Sequence, residues 1–515
     1  MRNHIISLTF YLFATTQSIA AQDTLWVRYD DRFLANGYIP LENVDSIEIQ
    51  NSLFRLYNAT ISTGYKNQSY SSLVPTDKAD MTFVNPGRYL LHPDIYASTD
   101  YTNANATSGY NFAHMVESEH FAVFWDVRFG DNATYIKHPD AGSVANANTV
   151  SNVCELCWKK YVELGFIKPG QSTTDKYKIQ LYIPYQSEWR ADASGTYGTN
   201  GEKFGIGHFN PWAASIGSTI AHEVGHTFQY LTSADLGMEH GFNYGYGEGA
   251  SGGNGWWESC ANWQAYKVFA SDQFTNGDFN THLTKHHLNI LHEDWRYQNF
   301  FVQDWWCMKH GSDFIGRLWR ESNKPEDPIE AYKRLCDLSQ QEFNDEQMEG
   351  YMRMATWDID GVRDAAKHRI GQHITYLTQV SGTTDTWQSD VAHCIQNYGY
   401  AIINMNNITT AGTLVKAHFK GIAGADGFRS INVSKAGWRY AFVALTSNDE
   451  RVYGTIQSDT EGTATLTVPA NCSKIFFVVM GAPTEHWRHP WDDDETNDEQ
   501  WPYQVRFENI NIAGK

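Results

Sequence analysis

The periodicity of apolar residues changes once along this 515-residue chain, and that change limits the folds open to it. From about residue 115 strand-like and helix-like segments alternate. His120–Trp125, Lys178–Ile183 and Lys203–Phe209 read as strands, and Val150–Leu164 and Ser218–Leu231 as amphipathic helices. Residues 254–370 are helical in pattern, with Trp256–Phe269, Asn299–Trp319, Pro328–Leu338 and Glu342–Ala355 as the expected helices. Beyond about residue 372 only short strands remain, at Ala401–Met405, Trp438–Leu445, Ala464–Val468 and Lys474–Met480, separated by Gly and Asn turns at the spacing of a β-sandwich. Ahead of residue 115, Thr24–Tyr29 and Val44–Ile49 alternate like strands in a stretch rich in Asn, Ser, Thr and Tyr. The expected architecture is a multidomain α+β chain. It has a small β-rich leader domain at 22–112, a mixed domain at 113–371 and a β-sandwich at 372–515.

Residues 1–21 read as an export signal: a short basic start at Met1–His4, an apolar run Ile5–Ala14, and small residues around Ala20 and Ala21 for cleavage. The run is too short to span a bilayer, and no later stretch approaches 18 uninterrupted apolar residues. No Cys follows the signal to carry a lipid, so the expected destination is the periplasm or the extracellular space. With 39 Lys and Arg against 59 Asp and Glu, the net charge of -20 argues against nucleic acid or anionic lipid as partner. Seven Cys in so long a chain are too few for a disulfide scaffold; Cys154-x-x-Cys157 could be a redox pair or half a zinc site, but no second such pair exists, and a structural place on the helix Val150–Leu164 is expected.

Ile220–Phe228 contains His222-Glu223-x-x-His226. On a helix, positions i and i+4 share a face, so the two imidazoles can converge on one metal ion with Glu223 beside them to take a proton from water. Ile220, Val224, Phe228 and Leu231 supply a buried stripe, and Ser218 offers an N-cap. A catalytic zinc needs a third protein ligand and an open position. Gln229 and Thr232 stand where a metzincin carries Gly and His or Asp, which excludes that class. Asp235, Glu239, Glu248 and Glu258 are the downstream acids. Glu258 is preferred because it sits in the helix-like Trp256–Trp263 among small residues, and Asn262 falls one turn later, where it can orient a ligand imidazole. A donor for the developing oxyanion is sought in His286–Tyr297, with His287, His292 and Tyr297 as candidates.

With these residues the chain resembles the gluzincin metallopeptidases, in which H-E-x-x-H on one helix is completed by a Glu from a following helix, often with Asp or Asn four residues on. The resemblance covers roughly residues 115–300. It is similar, more broadly, to an uncharacterised family of secreted bacterial proteins with H-E-x-G-H and a trailing β domain. The resemblance implies a zincin-like catalytic domain holding Zn2+ on His222, His226 and Glu258, with Glu223 as the catalytic base and Asn262 behind the ligands; His287 and Tyr297 stand beside it as the further catalytic candidates read from the 286–297 stretch. It implies extended substrate paired along the edge strand of the sheet, expected at Lys203–Phe209. The corresponding function is hydrolysis of peptide bonds in extracellular proteins or glycoproteins. The alternative is a secreted glycan- or protein-binding adhesion protein whose zincin site is structural or inactive. The Gly-rich loop Gly245–Gly253 carries no phosphate-binding pattern and reads as the rim of the cleft, and His486–Trp491 with its acidic sequel reads as a solvated loop.

Overall fold

A computed structural model describes residues 24–27, 37–40, 46–50, 53–57, 90, 100–198, 201–244, 253–274, 277–406, 410–492 and 494–515. The expected signal and most of the Gly-rich loop, including Glu248, lie outside the described residues. The protein is a mixed α and β chain with several sheets. Two compact units divide it, 1–159 with 173–227 and 160–172 with 228–515, and the division passes through two continuous helices, α1 (Ala147–Glu163) and α2 (Gly217–Leu236).

In the first unit, β1 (Thr24–Val27) pairs with β2 (Gly37–Pro40) and β3 (Ser46–Gln50) with β4 (Leu53–Tyr57), both antiparallel. Its main sheet has five strands: β5 (Met115–Glu117), β6 (Phe121–Trp125), β9 (Ile179–Ile183), β10 (Ala191–Tyr197) and β11 (Lys203–Phe209), in the order β10-β11-β9-β6-β5. A short ribbon of β7 (Ile136–Lys137) and β8 (Val144–Ala145) stands apart. β6 and β9 run parallel and are buried at every position, as strands covered on both faces are; β6 is apolar throughout, and β9 is apolar but for Gln180. Leu90, Tyr101, Tyr110 and Phe112 join the apolar cluster of Phe124, Tyr182, Phe204 and Ile206, so the chain ahead of residue 113 contributes to this sheet's core.

The pairing corrects the expected substrate edge. β11 is hydrogen-bonded to β9 on one side and to β10 on the other, and β10 is the outer strand. Over Ile206–His208, paired on both sides, no backbone groups are left for an extended peptide, whereas the outer side of β10 has them. β11 instead seats the following helix. A Cβ at Gly205 would stand 3.0 Å from Cβ of Thr227, so glycine lets α2 lie close on the sheet.

The second unit begins its helical part with α3 (Gly253–Val268) and α4 (Gly277–Lys285), followed by α5 (Phe301–His310), α6 (Phe314–Glu321), α7 (Pro328–Leu335) and α8 (Gln340–Met354). The single helix expected over 299–319 is two. Gly311, at φ 108°, donates its N–H to the Cys307 carbonyl and ends α5, and the chain restarts as α6 at Phe314. The ends of α7 and α8 follow their sequences. Asp327 with Glu330, and Ser339 with Glu342, form capping boxes.

The remaining strands are β12 (Leu377–Gln379), β13 (Thr386–Ser389), β14 (Tyr400–Asn404), β15 (Leu414–Gly421), β16 (Trp438–Thr446), β17 (Arg451–Tyr453), β18 (Glu461–Thr467), β19 (Cys472–Gly481) and β20 (Tyr503–Glu508). They build antiparallel sheets ordered β12-β13-β20-β15-β18 and β14-β19-β16-β17. Phe419, Val505 and Ala464 from the first share one core with Phe442, Phe477 and Ile403 from the second. All nine residues of β16 are buried, because one face enters this core and α8 covers the other. There Arg439 pairs with Asp345 and donates to Gln341.

Gly255, in the first turn of α3, is a point of close approach. A Cβ there would lie 2.8 Å from the Leu291 carbonyl oxygen and 2.9 Å from the Trp491 ring. Gly255→Ala is expected to cost about 1–3 kcal/mol by overpacking, read as a lower unfolding midpoint in thermal or urea denaturation. An unchanged midpoint would show that these two segments give way freely.

Candidate metal centre

Helix α2 begins at Gly217, one residue ahead of the expected start, which puts Ser218 inside its first turn rather than at the cap. Ile220, Val224, Phe228 and Leu231 are each at most 1% exposed, forming the stripe that the 3.6-residue period required. The opposite requirement, two imidazoles on one face, is also met. Nε2 of His222 and Nε2 of His226 are 3.1 Å apart, with ring planes at 89°. Ligands held tetrahedrally about 2.0–2.1 Å from zinc stand roughly 3.3–3.4 Å from each other, so the spacing suits a shared ion. Glu258 completes the group: one ligand atom from each of His222, His226 and Glu258 lies within 4.8 Å of the others. His226 and Glu258 are buried, and His222 is half-buried. Glu223 is buried beside His222.

Gln229, the residue that breaks the metzincin pattern, has a positioning role. Its Nε2 donates to the Trp257 carbonyl at 3.1 Å and to Gln264 Oε1 at 3.0 Å, tying α2 to the turn of α3 that carries Glu258. Ser259, Cys260 and Ala261 are fully buried, so small side chains let neighbouring helices approach α3 as the sequence implied. Gln303 donates to Ser259 Oγ at 3.1 Å and the Trp319 indole to Cys260 Sγ at 3.2 Å.

The other expected site residues are placed as follows. The amide nitrogen of Asn262 donates to the Tyr297 carbonyl at 2.7 Å and approaches Asp278 Oδ2 at 3.4 Å, so Asn262 anchors the segment after residue 290 to α3. Tyr297 is 36% exposed, with the Arg296 guanidinium over its ring. His287 faces His393, ring centroids 5.3 Å apart, and its carbonyl accepts from the Gln396 backbone. Burial, with His286 and His393 nearby, pushes its pKa down to about 3, so it stands as a neutral imidazole. His292 accepts the Asp294 N–H on Nδ1 and meets Asp498 with Nε2, in a separate group with Glu293 and His489.

Tyr244 is a neighbour of the site that the sequence pattern does not point to. Its ring packs on Trp257 and its hydroxyl reaches Glu258 Oε1 at 3.5 Å while the side chain is 57% exposed. Its one sequence signal is its place at the start of the Gly-rich loop. Cys154 and Cys157 are fully buried on α1, and burial raises the Cys154 thiol well above its ordinary range, which argues against redox use. Among the described residues no helix is long and apolar enough to cross a membrane.

No curated protein matches the sequence. Among solved structures, the mitogen derived from Yersinia pseudotuberculosis aligns over 28% of this chain and 90% of its own, at 8% identity and a TM-score of 0.17, too low to carry a fold argument. Residues 83–514, which span the five-stranded sheet, the candidate ligands and both C-terminal sheets, match the family model DUF6055, and the chain belongs to that family of unknown function.

Proposed function

We propose that the protein is a secreted zinc-dependent peptidase of gluzincin type, acting on extracellular proteins or glycoproteins. The observation that supports this reading is the convergence of His222, His226 and Glu258 with Glu223 buried next to the first of them on the same helix. Two imidazoles and one carboxylate form the donor set of catalytic zinc, and they leave a coordination position open. Bound there, zinc would supply a Lewis acid that acidifies water and polarises a carbonyl. Glu223 would accept the proton of the attacking water and return it to the leaving amine. The Tyr244 hydroxyl, exposed beside Glu258, is better placed than His287 to donate to the oxygen of the scissile carbonyl. The unpaired side of β10 offers the backbone for extended substrate.

Metal analysis of the purified protein, wild type against Glu258→Ala, tests the site. Zinc is expected to fall by about one ion per chain in the variant. Hydrolysis of a peptide library should be lost with it and in chelator, and return to the wild type on adding zinc. Zinc content untouched by the substitution would refute the ligand set. Full zinc with no hydrolysis of any peptide would favour the adhesion protein with a structural site.

A further inference from the structure

The loop expected to be solvated is so only in part: Arg488, Asp494 and Glu495 are exposed, but its inner residues and the segment that follows are buried. His489 is 1% exposed, Trp491 1%, Asp498 3% and Glu499 2%. His486 and Arg488, at the start of the loop, pair with Asp327 and Glu330 of α7. Its inner residues close on the short turn that follows α4, where His292 is 2% and Glu293 6% exposed. Nε2 of His489 lies 3.4 Å from Glu293 Oε2 and 3.8 Å from Asp498 Oδ1. Glu293 Oε2 is 3.6 Å from His292 Nδ1, and Asp498 Oδ2 is 3.1 Å from His292 Nε2.

Both the charge balance and the hydrogen bonding of this cluster are incomplete. Glu293, Asp498 and Glu499 bring three buried carboxyl groups together. The two arginines at hand donate elsewhere: Arg429 to the Asp498 backbone carbonyl at 2.9 Å and Arg296 to the Glu293 carbonyl at 2.7 Å. Glu499 accepts the Asn397 N–H at 2.8 Å. Neither ring nitrogen of His489 nor Oε2 of Glu293 has a hydrogen-bond partner, although all three atoms are sealed from water. Buried polar atoms are rarely left so, and uncompensated buried carboxylates are costlier still.

We infer that this cluster is a second metal site, separate from the one on α2 and α3, that takes a divalent transition-metal ion of the zinc class. The ligands are His489 Nε2, Glu293 Oε2 and Asp498 Oδ1: His489 Nε2 lies 3.4 Å from the first oxygen and 3.8 Å from the second, and ligand atoms of His292, Glu293 and His489 all lie within 4.8 Å of one another. His292 is a positioning residue. Its Nδ1 is occupied by the Asp294 N–H, so in the neutral ring Nε2 carries the proton and donates to Asp498 Oδ2, turning Oδ1 toward His489. An imidazole in the set disfavours calcium or magnesium, which take oxygen ligands. The ion would clamp the 486–499 loop of the C-terminal β region to the turn after α4. Both segments pack on the first turn of α3 through Leu291 and Trp491 at Gly255. The role is structural, since every ligand is buried.

The test uses the full chain with His222 and His226 both replaced by Ala, so that success or failure of the peptidase reading does not enter. Stripped with chelator and dialysed against ZnCl2, this protein is expected to retain about one zinc per chain, and CoCl2 should give the visible absorption of a protein-bound cobalt ion. Adding Glu293→Gln or His489→Gln should abolish both signals and remove the zinc-dependent rise in thermal midpoint. Should the double-alanine chain fail to fold, wild type against Glu293→Gln gives the same reading as a loss of one zinc. Equal metal content with and without the Glu293 and His489 substitutions overturns the proposal, and leaves a proton shared by His489 and Glu293 as what neutralises the cluster. Occupancy by calcium alone overturns it equally.

Discussion

Glu223→Gln is expected to lower peptide hydrolysis by about 10²- to 10⁴-fold while leaving zinc content unchanged. The amide matches the carboxylate in size, so the buried position beside His222 is filled as before and α2 keeps its seat on the sheet through Thr227 and Gly205. What is lost is the ability to accept a proton, which an amide lacks at any accessible pH. The separation of effects is the point of the experiment. Glu258→Ala should remove zinc and activity together, whereas Glu223→Gln should remove activity alone. A Glu223→Gln protein that hydrolyses peptides at the wild-type rate would exclude Glu223 as the base and, with it, the mechanism proposed here. One that loses its zinc would show that the carboxylate serves the metal.

The helix bearing His222 and His226 was legible because everything that specifies it is local. The apolar stripe of Ile220, Val224, Phe228 and Leu231 and the i, i+4 pair of imidazoles need only the 3.6-residue period. The same holds for β6, whose continuous apolar run reflects burial on both faces, and for β9, apolar but for Gln180. Errors arose where partners are distant or conformation is local but unpatterned. Lys203–Phe209 reads as a strand and is one, yet nothing within it shows that β10 pairs back on it and takes the edge. The break at Gly311 is a single left-handed residue in an otherwise unbroken helical pattern. The 486–499 loop has the polar composition of a solvated segment. Its inner residues His489 and Asp498 are buried because His292 and Glu293 arrive from the turn after α4; His292 and Asp498, now in contact, are 206 positions apart in sequence. Patterning within a window of residues carries no trace of such a meeting.

A second large effect is expected in acid, from histidines held neutral inside the second unit. His282 and His286 are 0% and 1% exposed, among Trp295, Phe301, Trp357 and Tyr400, with His373 stacked on Trp357. His282 Nδ1 donates to the Gln298 carbonyl at 2.9 Å and Nε2 accepts from the Tyr400 hydroxyl at 3.2 Å, which uses both nitrogens of the neutral ring. His286 donates to the Tyr400 carbonyl at 2.7 Å. Burial, reinforced at His282 by His286 nearby, lowers these pKa values to about 3 for His282 and about 4 for His286, and holds His373 well below its usual 6.5. In the unfolded chain the same imidazoles titrate near 6.5, so below that pH the unfolded state binds more protons and stability falls as pH falls. Their contribution is complete above pH 6.5. It is lost progressively down to about 4 for His286 and about 3 for His282, at about 1.4 kcal/mol per pH unit for each. Two such groups acting over two pH units remove roughly 5 kcal/mol, comparable with the whole stability of many domains. Urea midpoints measured from pH 7.5 to 4.5 should therefore decline steeply below 6.5, and His282→Gln combined with His286→Gln should flatten the decline even if it lowers the plateau. A midpoint constant across that range, or a slope unchanged by the two substitutions, would mean that these rings take up protons without unfolding the core around them.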